Sequence, residues 1–414
     1  MKHTPLELRP DALVGQPQTQ PVGTTPHISL HAFCETAAVA ASMGRVASDR
    51  RLSRARVSVT MGGIAAATSY CSGQPTPDVM ILENGGSRAD LLAALADLAP
   101  VCDPATKVIV VGATNDIALY RELVAEGVAE YLLAPVDALA LIGAVLRLFP
   151  NEGAAHIGKI HAVIGTKGGV GSSVLAQNLA WTMSQGSTAT LLADLDLQFG
   201  TVALNCNIEC HTGFADQLPE GQNLDGTLLE RLLFKHGPDL SILPCATAAQ
   251  IARDPDVDVI RKMLDLARAT FPHVVLDLPN AWSPLVRSTL VAADNILLVA
   301  EPDLANLRNA RGMLDFLKMT RPNDDPPQLI LNRVGLPKRR EIKPEKFAAA
   351  LETDLAAKIA FDPALFSSAT ANGQMIEEVS KTAPMTRVLQ HLAEQLTGRT
   401  HATKRRGLGR LWGR

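Results

Sequence analysis

Aromatic side chains are scarce in this chain: Phe, Trp and Tyr together make up 4% of its 414 residues. So thin a supply argues against the stacking platforms on which single-strand nucleic-acid binders seat successive bases. An excess of one charge is missing too, because Lys+Arg 39 against Asp+Glu 42 leaves a net charge of −3. The chain as a whole is no polycation suited to a phosphate backbone, and Arg339, Arg340 and Lys343 form only a small basic patch. No apolar run approaches the roughly 18 residues of a membrane-spanning helix. The N-terminal stretch carries Pro5, Pro10, Pro17, Pro21 and Pro26 and lacks the apolar core of a signal peptide. Cysteine is sparse and scattered (Cys34, Cys71, Cys102, Cys206, Cys210, Cys245), which suits reduced thiols in a cytoplasm. Cys206, Cys210 and His211 form one C-x3-C-H cluster, but a second pair at metal spacing is missing. Buried or loop thiols are the expected reading there.

What the chain has in quantity is apolar material, 47% of its residues, enough for two or three cores at roughly 150 residues per domain. Residues 1–27, rich in Pro, Gln and Thr without periodicity, read as a disordered leader. Residues 28–150 alternate five short apolar runs with five helical patterns, which predicts a parallel sheet covered on both faces. The expected strands are 28–34, 56–61, 77–83, 107–111 and 130–133. A Gly- and Asn-containing linker follows, and a second α/β domain is expected over 159–398, with strands 160–165, 190–194, 240–243, 273–277, 295–300 and 328–332. Residues 399–414 form a basic tail in which Lys404, Arg405, Arg406, Arg410 and Arg414 are interleaved with Leu408, Leu411 and Trp412.

Five βα units of this size suit the flavodoxin-like strand order, whose sites gather at the C-terminal strand ends. Pro77-Asp-Val-Met-Ile-Leu-Glu83 resembles the third strand of response-regulator receiver domains, and Tyr131-Leu-Leu-Ala-Pro135 resembles the fifth. The resemblance implies acidic metal ligands after the first strand, an Asp nucleophile, a hydroxyl and a Lys. Those positions hold Cys34 and Glu35, Glu83, Gly112 and Ala134. Glu83 extends its carboxylate by one methylene, which spoils in-line attack geometry. The expectation is a pseudo-receiver without phosphotransfer; an unrelated small α/β domain is the alternative.

The strongest signal is His161-Ala-Val-Ile-Gly-Thr-Lys-Gly-Gly-Val-Gly-Ser-Ser-Val174, an apolar strand entering a Gly-rich turn, with Ser173 opening a helix. Backbone N–H groups at such a turn cradle phosphate oxygens. G-x-G-x-x-G is not matched, and Lys beside the phosphates favours a nucleoside triphosphate over a dinucleotide. The stretch resembles the deviant Walker A loop of the ParA/MinD family. The resemblance puts Lys167, Gly168, Gly169, Val170, Gly171, Ser172 and Ser173 around ATP. It makes Lys167 the signature lysine that reaches the partner's nucleotide across a dimer, and Ser173 the Mg2+-binding hydroxyl. Ser172 stands where the ordinary Walker lysine belongs and Thr166 where the general loop has Gly. A missing charge-assisted contact costs on the order of 1.5–3 kcal/mol, so hydrolysis is expected to be weak or absent.

Further motifs follow in the family's order. Leu191-Leu-Ala-Asp-Leu-Asp-Leu-Gln-Phe-Gly200 resembles switch I, with Asp196 directing the attacking water and Asp194 beside the metal. His273-Val-Val-Leu-Asp277 resembles Walker B, its carboxylate holding Mg2+ through water. Either Asp194 or Asp196 also suits a simple cap of the next segment. Asn332 and Arg333 resemble the purine-contacting position. Phe361-Asp362-Pro363 and Asn372-Gly373-Gln374 resemble the adenine-side loops.

A pseudo-receiver fused to a ParA/MinD-type ATPase domain without its Walker lysine resembles the CpaE/TadZ family of pilus assembly proteins. The resemblance implies an ATP-binding, dimerising localisation factor for a Flp-type (tight-adherence, type IVb) pilus system. It implies a cytoplasmic homodimer at a cell pole, with the pilus secretion ATPase and inner-membrane platform proteins as partners. The basic tail is its expected contact with the membrane surface, and nucleic acid is not an expected partner. The rival reading is an active ParA/MinD-type ATPase for DNA partitioning or division-site placement, and a scaffold without nucleotide is a third.

Overall fold

The apolar runs of the first half of the chain pair side by side, and each hands over to a helix that folds back across the sheet. In this computed structural model the structure describes residues 27–149, 158–210, 225–245 and 257–398. The chain divides into two units, Met1–Phe149 and Pro150–Arg414. In the first, β1 (Ile28–Cys34), β2 (Ala55–Met61), β3 (Val79–Asn84), β4 (Lys107–Gly112) and β5 (Glu130–Leu133) pair in the order β2-β1-β3-β4-β5. All four pairings are parallel. This is the flavodoxin-like order of receiver-type domains. Strands with covered faces are apolar nearly throughout, as β1 is; alternate residues face opposite sides. Leu30 and Ala32 join Val39, Met43 and Leu141 in one core. Phe33 joins Ile64, Met80 and Leu123 in the other.

Local chemistry starts the helices. Thr36 caps helix Ala37–Ala47 by accepting from the Val39 N–H, and Asp137 caps Ala138–Arg147 likewise through Ala140. Helix Arg88–Leu98 opens on a reciprocal capping box between Ser87 and Asp90.

The second unit holds an eight-stranded sheet. Its strands are β6 (Lys159–Gly165), β7 (Thr190–Asp194), β8 (Phe234–Lys235), β9 (Leu240–Leu243), β10 (His273–Leu278), β11 (Asn295–Ala300), β12 (Gln328–Val334) and β13 (Leu355–Ala360). They run in the order β13-β12-β11-β6-β10-β7-β9-β8, parallel except for the β8–β9 pair. β6 lies between β10 and β11, where successive crossovers turn to opposite sides of the sheet. In open α/β sheets ligands bind outside the carboxyl ends of the strands at such a switch point. Two apolar layers cover the sheet, one against helix Val257–Thr270 and one against helices Ser172–Ser184 and Pro384–Thr397.

Two of these strands are absent from the expectation drawn from sequence. β13 reads Leu-Ala-Ala-Lys-Ile-Ala, poor in the β-branched residues that mark strands. It is held by pairing with β12, through register shifts. β8 is two residues long and exists only as the antiparallel partner of β9.

Candidate phosphate loop and nucleotide cavity

β6 ends at Gly165, and the loop after it turns through Gly169 and Gly171 at φ +80° and +90° before entering helix Ser172–Ser184. The helix thus begins one residue earlier than the sequence suggests, at the position of the missing Walker lysine. Gly171 at its N-cap offers no side chain, so the first-turn N–H groups have no side-chain cap. A Cβ on Gly171 would come within 2.6 Å of Asn332 Nδ2. Only glycine fits there.

Asparagines from three other segments fix the loop's shape. Asn280 Nδ2 donates to the Gly165 carbonyl at 2.7 Å, Asn309 Nδ2 to Thr166 O at 2.9 Å, and Asn332 Nδ2 to Val170 O at 2.8 Å. The Thr166 hydroxyl donates to Asn306 Oδ1 at 2.5 Å. The unusual threonine therefore ties the loop to helix Leu304–Thr320 instead of relaxing it as glycine would. Of these asparagines only Asn332 stood out in sequence. Asn280, Asn306 and Asn309 lie in no motif, and only the fold brings them to the loop. Lys167 and Gly168 are exposed, while Ser172 and Ser173 are half-buried at the start of the helix.

Behind the loop sit two buried acids on neighbouring strands, Asp277 paired with Asp194 in the β10–β7 register. Asp194 is already engaged: its oxygens accept from the Asp196 N–H at 3.0 Å and the Val202 N–H at 3.2 Å. Burial pushes its carboxyl up to about 7, against those two hydrogen bonds. Asp277 is 1% exposed, and neither of its oxygens has a hydrogen-bond partner. Burial first, and Asp194 next, hold it well above the usual carboxylate range, with the neighbouring Ser173 hydroxyl opposing them. An orphaned carboxylate of this kind is costly unless something cationic meets it. Asp196 spends one oxygen on the Phe199 N–H at 3.0 Å, at the head of an exposed loop.

Gly171 also lines a cavity of about 380 Å3, together with Val174, Asn332, Arg333, Phe361, Asp362, Pro363 and Phe366. The structure thus gathers five positions picked from sequence, Asn332, Arg333, Phe361, Asp362 and Pro363, around one cavity beside the phosphate loop. Their side chains have local duties as well. Asp362 caps helix Pro363–Ala371 through the Leu365 N–H, and the Arg333 guanidinium pairs with Glu301 at 3.0 Å. Asn372-Gly373-Gln374 does not line the cavity. That segment ends the helix, with Gly373 at φ +63° packed so close to Asn207 that a Cβ would meet it at 2.9 Å. Its turn chemistry resembles the family's base-side loop, but the helix it closes points it toward the segment after switch I.

At the strand ends of the first unit, Glu83 is buried and accepts from the Glu35 and Thr36 N–H groups at 2.7 and 2.9 Å. Burial, with Glu83 nearby, pushes the Cys34 thiol up to about 11. Among the described residues no group of His, Cys, Asp and Glu side chains is arranged to hold a metal as a cluster, and His211 lies outside them. The leader up to residue 26 and the basic tail also lie outside the described residues. No helix among the described residues is long and apolar enough to cross a membrane.

A family model described as cellulose biosynthesis protein BcsQ matches residues 159–315. Among curated relatives, an uncharacterized ATP-binding protein of Methanocaldococcus jannaschii is 22% identical over 41% of this chain. The chromosome partitioning protein ParA of Myxococcus xanthus is 26% identical over 36% of it. The chain spans only 62% and 54% of those two proteins. Among solved structures, MinD of Pyrococcus horikoshii, complexed with Mg-ADP, is 20% identical over 58% of this chain and 96% of its own, with a TM-score of 0.52. At that identity the likeness shows the fold, that of a ParA/MinD-type P-loop NTPase. The pilus assembly protein CpaE of Caulobacter crescentus is 49% identical over 30% of this chain and 96% of its own, with a TM-score of 0.30. A CpaE2 pilus assembly protein of Sinorhizobium meliloti is 38% identical over 29% of this chain and 99% of its own, with a TM-score of 0.29. Identity at these levels over nearly the whole of both solved chains, rather than superposition, makes the assignment: the chain belongs to the CpaE family of pilus assembly proteins.

Proposed function

We propose that the second unit binds ATP with Mg2+, dimerises on it and hydrolyses it slowly, and that the protein serves as a localisation and assembly factor for a Flp-type pilus system. One observation carries the nucleotide reading: a base-sized cavity shares Gly171 with the phosphate loop, while Asp277 keeps two buried oxygens without partners. The glycines admit the phosphates, Ser173 and Asp277 hold the cation with Asp194 behind them, and Asn332 keeps the loop shaped. Bound Mg2+ supplies charge neutralisation at the phosphates. Asp196 orients the attacking water. Ser172 brings no charge to the phosphates, which is the reason for slow turnover.

The dimer reading rests on exposure around the loop. Lys167 is exposed, and Phe199, Leu204 and Leu304 are 78, 77 and 75% exposed on neighbouring segments. Apolar side chains left out in this number near a site favour burial against a partner, here a second copy facing the same nucleotide. Membrane contact through the tail, polar placement and docking on the secretion ATPase and platform proteins belong to the same proposal, on the family likeness. An active DNA-partitioning ATPase is the second reading. It is weakened at Ser172, and Arg339 of the basic patch is neutralised by Glu301 and Glu341.

Mass spectrometry of nucleotide carried by the purified protein, with phosphate release, tests the proposal. ATP or ADP is expected to co-purify, with turnover far below that of an enzyme holding a Walker lysine. Brisk turnover would favour the partitioning reading. In the same assay Ser172→Lys is expected to tighten nucleotide binding roughly 10–100-fold, one charge-assisted contact; weaker binding would mean that the loop holds something other than a triphosphate. Val174→Trp places an indole in the cavity and is expected to lower affinity at least about 10-fold with an unchanged melting temperature. Unaltered affinity would move the base elsewhere.

A further inference from the structure

We propose that the first unit is a receiver-type sheet whose switch loops are permanently tied by its own side chains, so that it holds one conformation and does not act as a two-state signalling module. Two independent groups of contacts at the strand ends carry this.

The first is a pair of crossed glutamates. The Glu83 carboxylate, at the end of β3, takes three hydrogen bonds from the loop after β1: the Glu35 N–H at 2.7 Å, the Thr36 N–H at 2.9 Å and the Thr36 hydroxyl at 2.6 Å. Glu35 returns the tie, its Oε2 accepting from the Gly85 N–H after β3 at 2.8 Å. The loop after β2 closes on the same point. Gly63 sits at φ +58° so near Glu35 that a Cβ would come within 2.7 Å of its side chain. Hydrogen bonds to carboxylates are shorter and roughly twice as strong as neutral ones, and here they join loops 48 residues apart. In a working receiver a cation and a phosphoryl group would bring these loops together; here the longer acid at position 83 spans the gap by itself. An aspartate, one methylene shorter, would not reach.

The second group lies at β4 and β5. The Tyr131 hydroxyl donates to the Thr114 carbonyl at 2.9 Å, and its ring lies over Gly112 where any Cβ would collide with it. The Ala134 N–H donates to the Gly112 carbonyl at 2.8 Å. The position that a receiver gives to a mobile hydroxyl is therefore a glycine held under a tyrosine. With both groups in place, no loop at these strand ends is left free to respond to a cation or a phosphoryl donor.

Hydrogen exchange on the full-length chain, followed by mass spectrometry, reads the ties directly. In the wild-type protein, Mg2+ with acetyl phosphate is expected to leave exchange at residues 35–36 and 85–86 unchanged, and Glu83 without an adduct. Glu83→Gln and Glu83→Asp are each expected to speed exchange of the Glu35 and Thr36 amides at least about 10-fold, as loss of one charge-assisted bond implies. Gly112→Ala, which expels the Tyr131 ring, is expected to loosen β4 and β5 while leaving Glu35 and Thr36 protected. A Glu83 adduct, or a Mg2+- or phosphoryl-dependent change of similar size in the wild type, would overturn the proposal. So would unchanged exchange in both Glu83 variants, a result that leaves the nucleotide reading of the second unit untouched.

Discussion

Asp277→Asn is expected to stabilise the nucleotide-free protein and to abolish its Mg2+-dependent nucleotide binding. The wild-type carboxylate is buried with both oxygens unpartnered, and an uncompensated buried charge costs on the order of 3 kcal/mol. An amide of the same shape removes that charge. At about 2–4 °C per kcal/mol for a domain of this size, the melting temperature should rise by roughly 6–12 °C near pH 8. The sign with pH follows from proton linkage. Asp277 is held well above its ordinary 3.8, first by burial and then by Asp194, so the folded state keeps a proton that the unfolded state has lost. Wild-type stability from this group is therefore present at acid pH and declines as pH rises from about 4 toward the folded value. The gap between variant and wild type should thus be small near pH 4–5 and widen through about 7, where Asp194 titrates as well. With Mg2+ and ATP at about 1,000 times Kd the order should reverse, since ligand then adds about 4.1 kcal/mol to the wild type alone. Differential scanning calorimetry across pH, with and without Mg·ATP, measures both halves. A variant that melts below the wild type without ligand, or that still gains from Mg·ATP, would remove Asp277 from the cation site.

Lys167→Ala is expected to eliminate the ATP-dependent dimer. Lys167 is exposed at the loop, and no other lysine stands in the loop to replace it, since its Walker position is Ser172. A hydrogen bond to a charged group contributes about 1.5–3 kcal/mol, and a two-fold dimer uses the contact twice. The combined loss of about 3–6 kcal/mol corresponds to roughly 10^2–10^4 in dimer affinity. Sedimentation equilibrium with a non-hydrolysable ATP analogue reads this directly, and Ser172→Lys in the same background separates the two lysine roles. Tighter nucleotide binding without recovery of the dimer is the expected pattern. Normal dimerisation of Lys167→Ala would show that the cross-dimer role is wrong.

Much of the fold was legible along the chain because parallel strands covered on both faces write themselves as apolar runs. β1, β5, β7, β9 and β11 have the bounds that hydrophobic pattern alone suggests. The phosphate loop was legible for a related reason: close approach to an anion demands glycine, and glycine at 169 and 171 leaves a visible mark. The chemistry that departs from pattern was legible too, since Ser172 and Glu83 are single letters in otherwise recognisable strings.

Tertiary structure decided what depends on long-range pairing. β13, rich in alanine, is a strand only because β12 offers it an edge. Asn280, Asn306 and Asn309 hold the phosphate loop from more than a hundred residues away, and an isolated asparagine carries no periodicity to reveal it. Sequence marked Asp194 and Asp277 alike, as acids at the ends of strands. The fold separates them, because backbone amides at Asp196 and Val202 satisfy one, while the other has no backbone donor and only the Ser173 hydroxyl nearby. Hydrophobic periodicity and backbone sterics act on neighbours in the chain and so can be read from it. The partners of a buried polar group are chosen by where distant segments come to rest.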